Sequence, residues 1–169
     1  RLPDEAYYTT TAWVKPDLSS GDTDFTILTN REPQSPYSGF GSVIQRGNGA
    51  LGTYLYPDWL ISTEDLVSDD TWAFVAFRTY RASSGGTIET SINGQPWATL
   101  YTGNTSYMAN RPDAALRLGS SSTDSYRFNG LIDEARVVSS NAMHPLSDAW
   151  IKAEYENQRT ASTFLTIGG

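Results

Sequence analysis

Residues 71–80 constrain the fold more than any other part of the chain. In a strand, successive side chains point to opposite faces. Trp72, Phe74 and Ala76 then share one face, and Ala73, Val75 and Phe77 share the other. Apolar side chains on both faces demand a central strand, covered at least partly on each side. Trp13, Trp72 and Phe74 are accordingly expected in the core.

The rest of the chain supplies strands to surround it. Residues 8–14, 25–29, 40–45, 51–56, 87–92, 97–101, 114–118 and 131–138 are rich in Thr, aromatic and branched residues. Turn chemistry separates them. Pro16 ends the first run, and Pro33 and Pro36 mark an irregular loop over 30–38. Asn93-Gly94 is a tight hairpin signal, and Arg46-Gly47-Asn48-Gly49 is a second one. Short strands at regular turn spacing predict an all-β, antiparallel two-sheet sandwich. A single short helix is expected near the C-terminus. Ser147 caps it, Asp148 lies in its first turn, and Ile151 and Tyr155 face the core.

Composition narrows the function. A chain of 169 residues fits one domain over 1–169 with one core. Its net charge of −7 repels phosphate backbones, which argues against nucleic acid and anionic membranes as partners. With no cysteine there is no disulfide, thiol catalysis or Cys–zinc site. No apolar run approaches the ~18 residues of a membrane span. Residues 1–6 are polar and begin in mid-pattern, as expected for a piece of a longer exported chain.

Several segments together resemble a known family. Thr11-Ala12-Trp13-Val14-Lys15-Pro16 resembles the early strand of bacterial laminin-G-like domains, and Thr71-Trp72-Ala73-Phe74-Val75-Ala76-Phe77 their central strand. Ser91-Ile92-Asn93-Gly94 is similar to their central hairpin. Leu116-Arg117-Leu118-Gly119, then Phe128-Asn129-Gly130-Leu131-Ile132-Asp133-Glu134-Ala135-Arg136-Val137, resembles their most recognisable stretch. The pieces keep the family's order along nearly the whole chain. The tail, with Asp148 to Tyr155 and Ser162 to Gly168, resembles an ending seen in multidomain bacterial and archaeal surface proteins. The resemblance is to the laminin-G-like, concanavalin-A-like lectin/glucanase domains. It implies a jelly-roll sandwich, an extracellular or cell-surface location, and frequent calcium binding. Family members usually begin with an Asp-rich strand that has no counterpart here. Upstream residues or a neighbouring subunit are expected to supply it, closing an otherwise open edge.

Catalytic patterns are sparse. The lone histidine, His144, stands beside Pro145 without a Gly-x-Ser-x-Gly elbow. Enzymes of the wider fold class carry paired acids in a Glu-x-Asp-x-x-Glu pattern, which this sequence lacks. Glu64-Asp65 and Asp69-Asp70 read as turn residues. Asp133 and Glu134 are adjacent and so point to opposite faces of a strand.

Asp133 shares its expected face with Leu131, Ala135 and Val137. A carboxylate there needs backbone amides, an arginine such as Arg117, or a structural calcium with carbonyls and another acid. Glu134 and Arg136 read as a surface ion pair on the other face. By the fold's resemblance to pentraxins, a second calcium set would be Asn30 and Glu32 from one loop with Asp124 from another.

The ligand candidates are aromatic. Tyr54 and Tyr56 project from one side of a strand, and Pro57-Asp58 turns the chain to present Trp59. Flat rings stack on the C–H faces of sugars while neighbouring polar groups bond hydroxyls. Arg31, Tyr37 and Tyr126 are expected to line the same groove. The alternative is that this ring layer is core. Three functions are therefore weighed. The first is a non-catalytic carbohydrate-binding or adhesion module that takes a glycan or cell-surface ligand. The second is an assembly domain of a surface filament or adhesin that binds neighbouring domains or subunits. The third is a glycan-cleaving enzyme, for which no acid pair is recognisable.

Overall fold

The computed structural model describes residues 7–19, 24–31, 39–45, 49–55, 58–62, 66–108, 114–121, 126–140 and 146–159. Their strands are β1 (Tyr7–Pro16), β2 (Asp24–Arg31), β3 (Gly39–Gln45), β4 (Leu51–Leu55), β5 (Asp58–Ile61), β6 (Ala73–Tyr80), β7 (Gly86–Ile92), β8 (Ala98–Gly103), β9 (Arg117–Leu118) and β10 (Gly130–Ser140), followed by helix α1 (Asp148–Arg159). They form two five-stranded sheets, ordered β10-β1-β6-β7-β8 and β5-β4-β3-β2-β9. Every recorded strand pair is antiparallel. The architecture is the expected jelly-roll sandwich with a C-terminal helix.

The two sheets meet over alternating residues. Tyr8, Ala12 and Val14 of β1 and Ala73, Val75 and Phe77 of β6 pack with Ile27, Leu28, Phe40, Leu51 and Leu55 of the other sheet. Tyr8 stacks on Phe40 with ring centroids 5.0 Å apart. The bulge in β2 between Thr26 and Leu28 puts both Ile27 and Leu28 into this core.

The central-strand reading of β6 holds, since β6 lies between β1 and β7. Its second face is covered by α1. Phe74 and Ala76 pack against Leu146 and Ile151, with Trp13, Trp97, Val138 and Tyr155 around them. Ser147 accepts a hydrogen bond from the Trp150 amide at 3.2 Å, capping the helix as expected. Below the start of α1, Arg78 donates to both carboxylate oxygens of Glu89 at 2.7 and 3.1 Å. The Trp97 ring lies 4.5 Å from its guanidinium carbon. Arg78 also donates to the Leu146 carbonyl, so one side chain ties the sheet to the approach of the helix.

At the β7–β8 hairpin, Asn93 and Gly94 have φ of 49° and 71°, as a tight two-residue turn requires. A Cβ at Gly94 would meet the Tyr155 ring at 3.0 Å. A side chain here would press on that ring and on the Lys152 Cα at 3.2 Å, so glycine lets the hairpin and helix approach closely.

Four expectations change. Trp72 is not core: it is 42% exposed, ahead of the first residue of β6, where the end of α1 leaves a groove instead of a packed layer. Trp59 does not follow a free turn but sits on β5, a short edge strand paired to β4. The run 114–118 shortens to β9, residues 117–118.

The fourth is Asp133. Along β1 and β10, Thr11 faces Arg136 but Trp13 faces Asp133, so β10 carries one extra residue. Glu134 absorbs it with φ 49°. The bulge breaks the alternation: Ile132, Ala135 and Val137 face the core, and Asp133 turns outward and is exposed.

Candidate functional site

With α1 folded over the first sheet, the second sheet keeps its outer face. Leu51, Thr53 and Leu55 of β4 point inward and are buried, which turns Tyr54 outward. Tyr54 pairs directly with Trp59 on β5, and their rings meet edge-to-face at 5.2 Å. This cross-strand contact fixes both rings from the register of a single strand pair.

Tyr126 approaches from the other side of the sheet. Its carbonyl accepts the Thr26 amide of β2 at 3.0 Å, and its backbone sits at φ 52°. From there its ring meets Trp59 edge-to-face at 5.9 Å. Trp59 and Tyr126 remain 36% and 39% exposed, so the ring layer is surface and not core.

Arg31, at the end of β2, lays its guanidinium over Tyr54 at 4.2 Å from the ring centroid. The intervening strand β3 allows this. Gly39, opposite Arg31, and Gly41, whose carbonyl accepts the Thr53 hydroxyl, put no side chain between them. Edge-to-face ring pairs are worth about 0.5–1.5 kcal/mol each and an exposed cation–π contact about 0.5–1 kcal/mol. These contacts hold the side chains in place before any ligand arrives.

The structure thus brings together Tyr54, Trp59, Tyr126 and Arg31 of the expected set. Tyr56 and Tyr37 lie outside the described residues. The signal for the pair of glycines in β3 was present in the sequence, but no local pattern ties it to an arginine on the neighbouring strand.

Of the calcium candidates, Asn30 and Asp133 are described, and they lie on different sheets. Asn30 is buried and donates its side-chain amide to the Ala114 carbonyl at 2.9 Å. Asp133 lies on the other sheet, and its Oδ1 accepts the Glu134 amide at 2.8 Å. Glu32 and Asp124 lie outside the described residues. Among the described residues, no three His, Asp or Glu side chains are grouped to hold a metal ion.

The other polar candidates have structural partners. Glu134 and Arg136 form the expected ion pair at 2.7 Å. Asp69 accepts the Leu18 amide and Asp70 pairs with Lys15, as turn residues do. Asp17 accepts the Ser19 hydroxyl, the Ser19 amide and the Asn129 side chain, and these bonds, the hydroxyl first, hold its carboxyl below the ordinary value. His144, Glu64-Asp65 and residues 160–169 lie outside the described residues. Among the described residues, no helix is long and apolar enough to cross a membrane.

Residues 1–152 match the family model described as the concanavalin A-like lectin/glucanases superfamily. No curated protein matches the sequence. The CBM40 module of the Ruminococcus gnavus IT-sialidase superposes with a TM-score of 0.62 at 17% identity, covering 90% of this chain and 84% of that one; it has been solved bound to α2,3-sialyllactose. Domain 4 of a GH43 extracellular arabinanase from Geobacillus stearothermophilus, in complex with arabinotriose, superposes at 0.56 with 22% identity, covering 90% and 68%. A heptameric SAP-like pentraxin from Limulus polyphemus superposes at 0.57 with 14% identity, covering 89% and 70%.

Proposed function

Since the chain belongs to the concanavalin A-like lectin/glucanases superfamily, we propose that it is a non-catalytic carbohydrate-binding module of an extracellular protein, with its site on the outer face of the helix-free sheet. One observation carries the reading: Tyr54, Trp59 and Tyr126 form a continuous exposed ring layer with Arg31 stacked on one end. Rings fixed by the sheet lose little entropy when a sugar stacks on them. A guanidinium stacked by its face keeps its N–H donors at the rim, suited to sugar hydroxyls or a carboxylate. Two of the superposing modules have been solved with oligosaccharides, which supports a glycan as the ligand class. The absence of a Glu-x-Asp-x-x-Glu pattern supports binding without cleavage.

The test is a broad glycan array followed by titration of the strongest glycan. Trp59→Ala and Tyr54→Ala should each weaken binding about tenfold or more, or roughly 1.4 kcal/mol, in a protein that stays folded but melts a few degrees lower for the lost ring contacts. Unchanged affinity in both variants would sink the site. A chelator arm tests the calcium expectation separately. Loss of binding on chelation would bring Asn30, Glu32 and Asp124 into the site, and unchanged binding would remove calcium from the reading.

A second reading, an assembly surface for a protein partner, has its own observation. Leu116, Leu118 and Leu131 are 49%, 55% and 56% exposed around the edge strands β9 and β10. An intact fold that binds no glycan but self-associates, with Leu118→Asp abolishing the association, would favour it.

A further inference from the structure

The opposite side of the molecule holds a groove of about 680 Å³, lined in part by Trp72, Asp133, Glu134 and Asn157. That size falls within the roughly 300–1,000 Å³ of small-molecule clefts. It lies on the face of the first sheet, beyond the end of α1, and shares no lining residue with the Tyr54–Trp59–Tyr126 layer.

Most of its walls are closed on themselves. Trp13 stacks on Tyr155 at 5.7 Å and donates its indole N–H to Gln158. The Arg159 guanidinium lies over the Tyr155 ring and pairs with Glu156. These contacts make a fixed wall without an open ring face. Trp72 is different. Its indole is 42% exposed and has no ring contact among the described residues.

Asp133 completes the site. The β10 bulge, with Glu134 at φ 49°, turns this carboxylate out of the core face and into the groove. Its Oδ1 takes the Glu134 amide, and its Oδ2 has no partner among the described residues. Arg136 pairs with both Glu134 and Glu154, and Arg159 pairs with Glu156. Asp133 is thus the groove carboxylate without an ion-pair partner among the described residues.

We propose that this groove is a second saccharide subsite, one that takes a neutral sugar. The Trp72 indole stacks on the C–H face of a pyranose or furanose ring. The free Asp133 oxygen and the Asn157 amide then bond its hydroxyls, the carboxylate forming the stronger, charge-assisted bonds. The same carboxylate repels an acidic sugar, whose charge would lie next to it. The module is thus bivalent, with Arg31 at one site and Asp133 at the other giving the two faces opposite charge preferences. Bivalent engagement of a polymer would raise avidity without new contacts.

The test uses the whole chain carrying Trp59→Ala, which weakens the first face. Neutral trisaccharides (arabinotriose, cellotriose, maltotriose, mannotriose and galactotriose) are titrated at millimolar concentration and followed by tryptophan fluorescence and calorimetry. The proposal expects saturable binding to at least one of them. Adding Trp72→Ala should lower that affinity about tenfold or more. Adding Trp72→Phe should restore part of it. Asp133→Asn should weaken the neutral ligand and relax exclusion of galacturonate trisaccharide. Circular dichroism verifies that every variant is folded at the titration temperature.

Binding to none of the trisaccharides, or binding unmoved by Trp72→Ala, overturns the subsite. Tighter binding of the acidic than of the neutral trisaccharide overturns its charge preference. The single Trp72→Ala variant separates the two sites: if it keeps the full binding of every neutral trisaccharide, and Trp59→Ala abolishes that binding, the first face stands and this one falls.

Discussion

At the scale of the residue, polar groups decide as much as apolar ones. Thr9 lies in the centre of the first sheet with a relative exposure of 0%, and its hydroxyl has no hydrogen-bond partner among the described residues. A buried unsatisfied hydroxyl costs about 1–3 kcal/mol, and an apolar group of the same shape removes that cost. Thr9→Val should therefore stabilise the domain by about 1 kcal/mol, read as a higher denaturant midpoint with unchanged slope. Asp17 gives the pH dependence. Its three hydrogen bonds favour the ionised form, so its folded pKa lies below the unfolded value. Its contribution is full above the unfolded pKa and is lost as pH falls through the folded one. Asp17→Asn should flatten that part of an acid titration of Tm while leaving the neutral-pH fold intact. A stability curve of the same shape as the wild type below the ordinary carboxylate range would count against this account.

At the scale of the element, the helix and its neighbouring hairpin act as one unit. Ser147 supplies the cap, and Ser147→Ala should cost about 1 kcal/mol by thermal unfolding. Gly94 needs a positive φ and sits against Tyr155, so Gly94→Ala should cost about 1–2 kcal/mol from the backbone alone, with more from displacing the helix. β6 was legible in the sequence from its apolar run on both faces, and β1 from its pattern of Thr, aromatic and branched residues. So were the hairpin at Asn93-Gly94 and the helix with its cap. β5 was not, because four residues after a proline carry too few alternations to show a period. The bulge in β10 was hidden for a related reason. Reading strict alternation through Glu134 put Asp133 on the wrong face, and only pairing with β1 reveals the extra residue.

At the scale of the whole molecule, α1 covers one sheet and, among the described residues, no helix covers the other, which gives the domain two dissimilar faces. Ile151, fully buried, anchors α1 over Phe74 and Ala76. Ile151→Ala should cost about 2–5 kcal/mol, measured by denaturant unfolding. Glycan binding at Trp59 should survive in the folded fraction, since Ile151 packs on the first sheet and Trp59 lies on the second. A loss of affinity in the folded Ile151→Ala protein would mean that the faces are coupled. The aromatic pair Tyr54 and Trp59 was readable as a ligand candidate because both rings fall within one short stretch of sequence. Arg31 and Tyr126 joined it through sheet order, since β2 lies beside β3 and Tyr126 is docked to β2.

The sequence by itself determined the fold class. Local alternation and turn chemistry specify strands, hairpins and a capped helix, and those elements have few ways to bury their apolar faces. Only the tertiary structure decided which aromatic residues are surface. Trp72 and Phe74 share a strand parity, yet one is 42% exposed and the other 1%, because α1 reaches one and not the other. Strand parity is a local property, whereas cover is supplied by segments distant in sequence, and exposure depends on the cover.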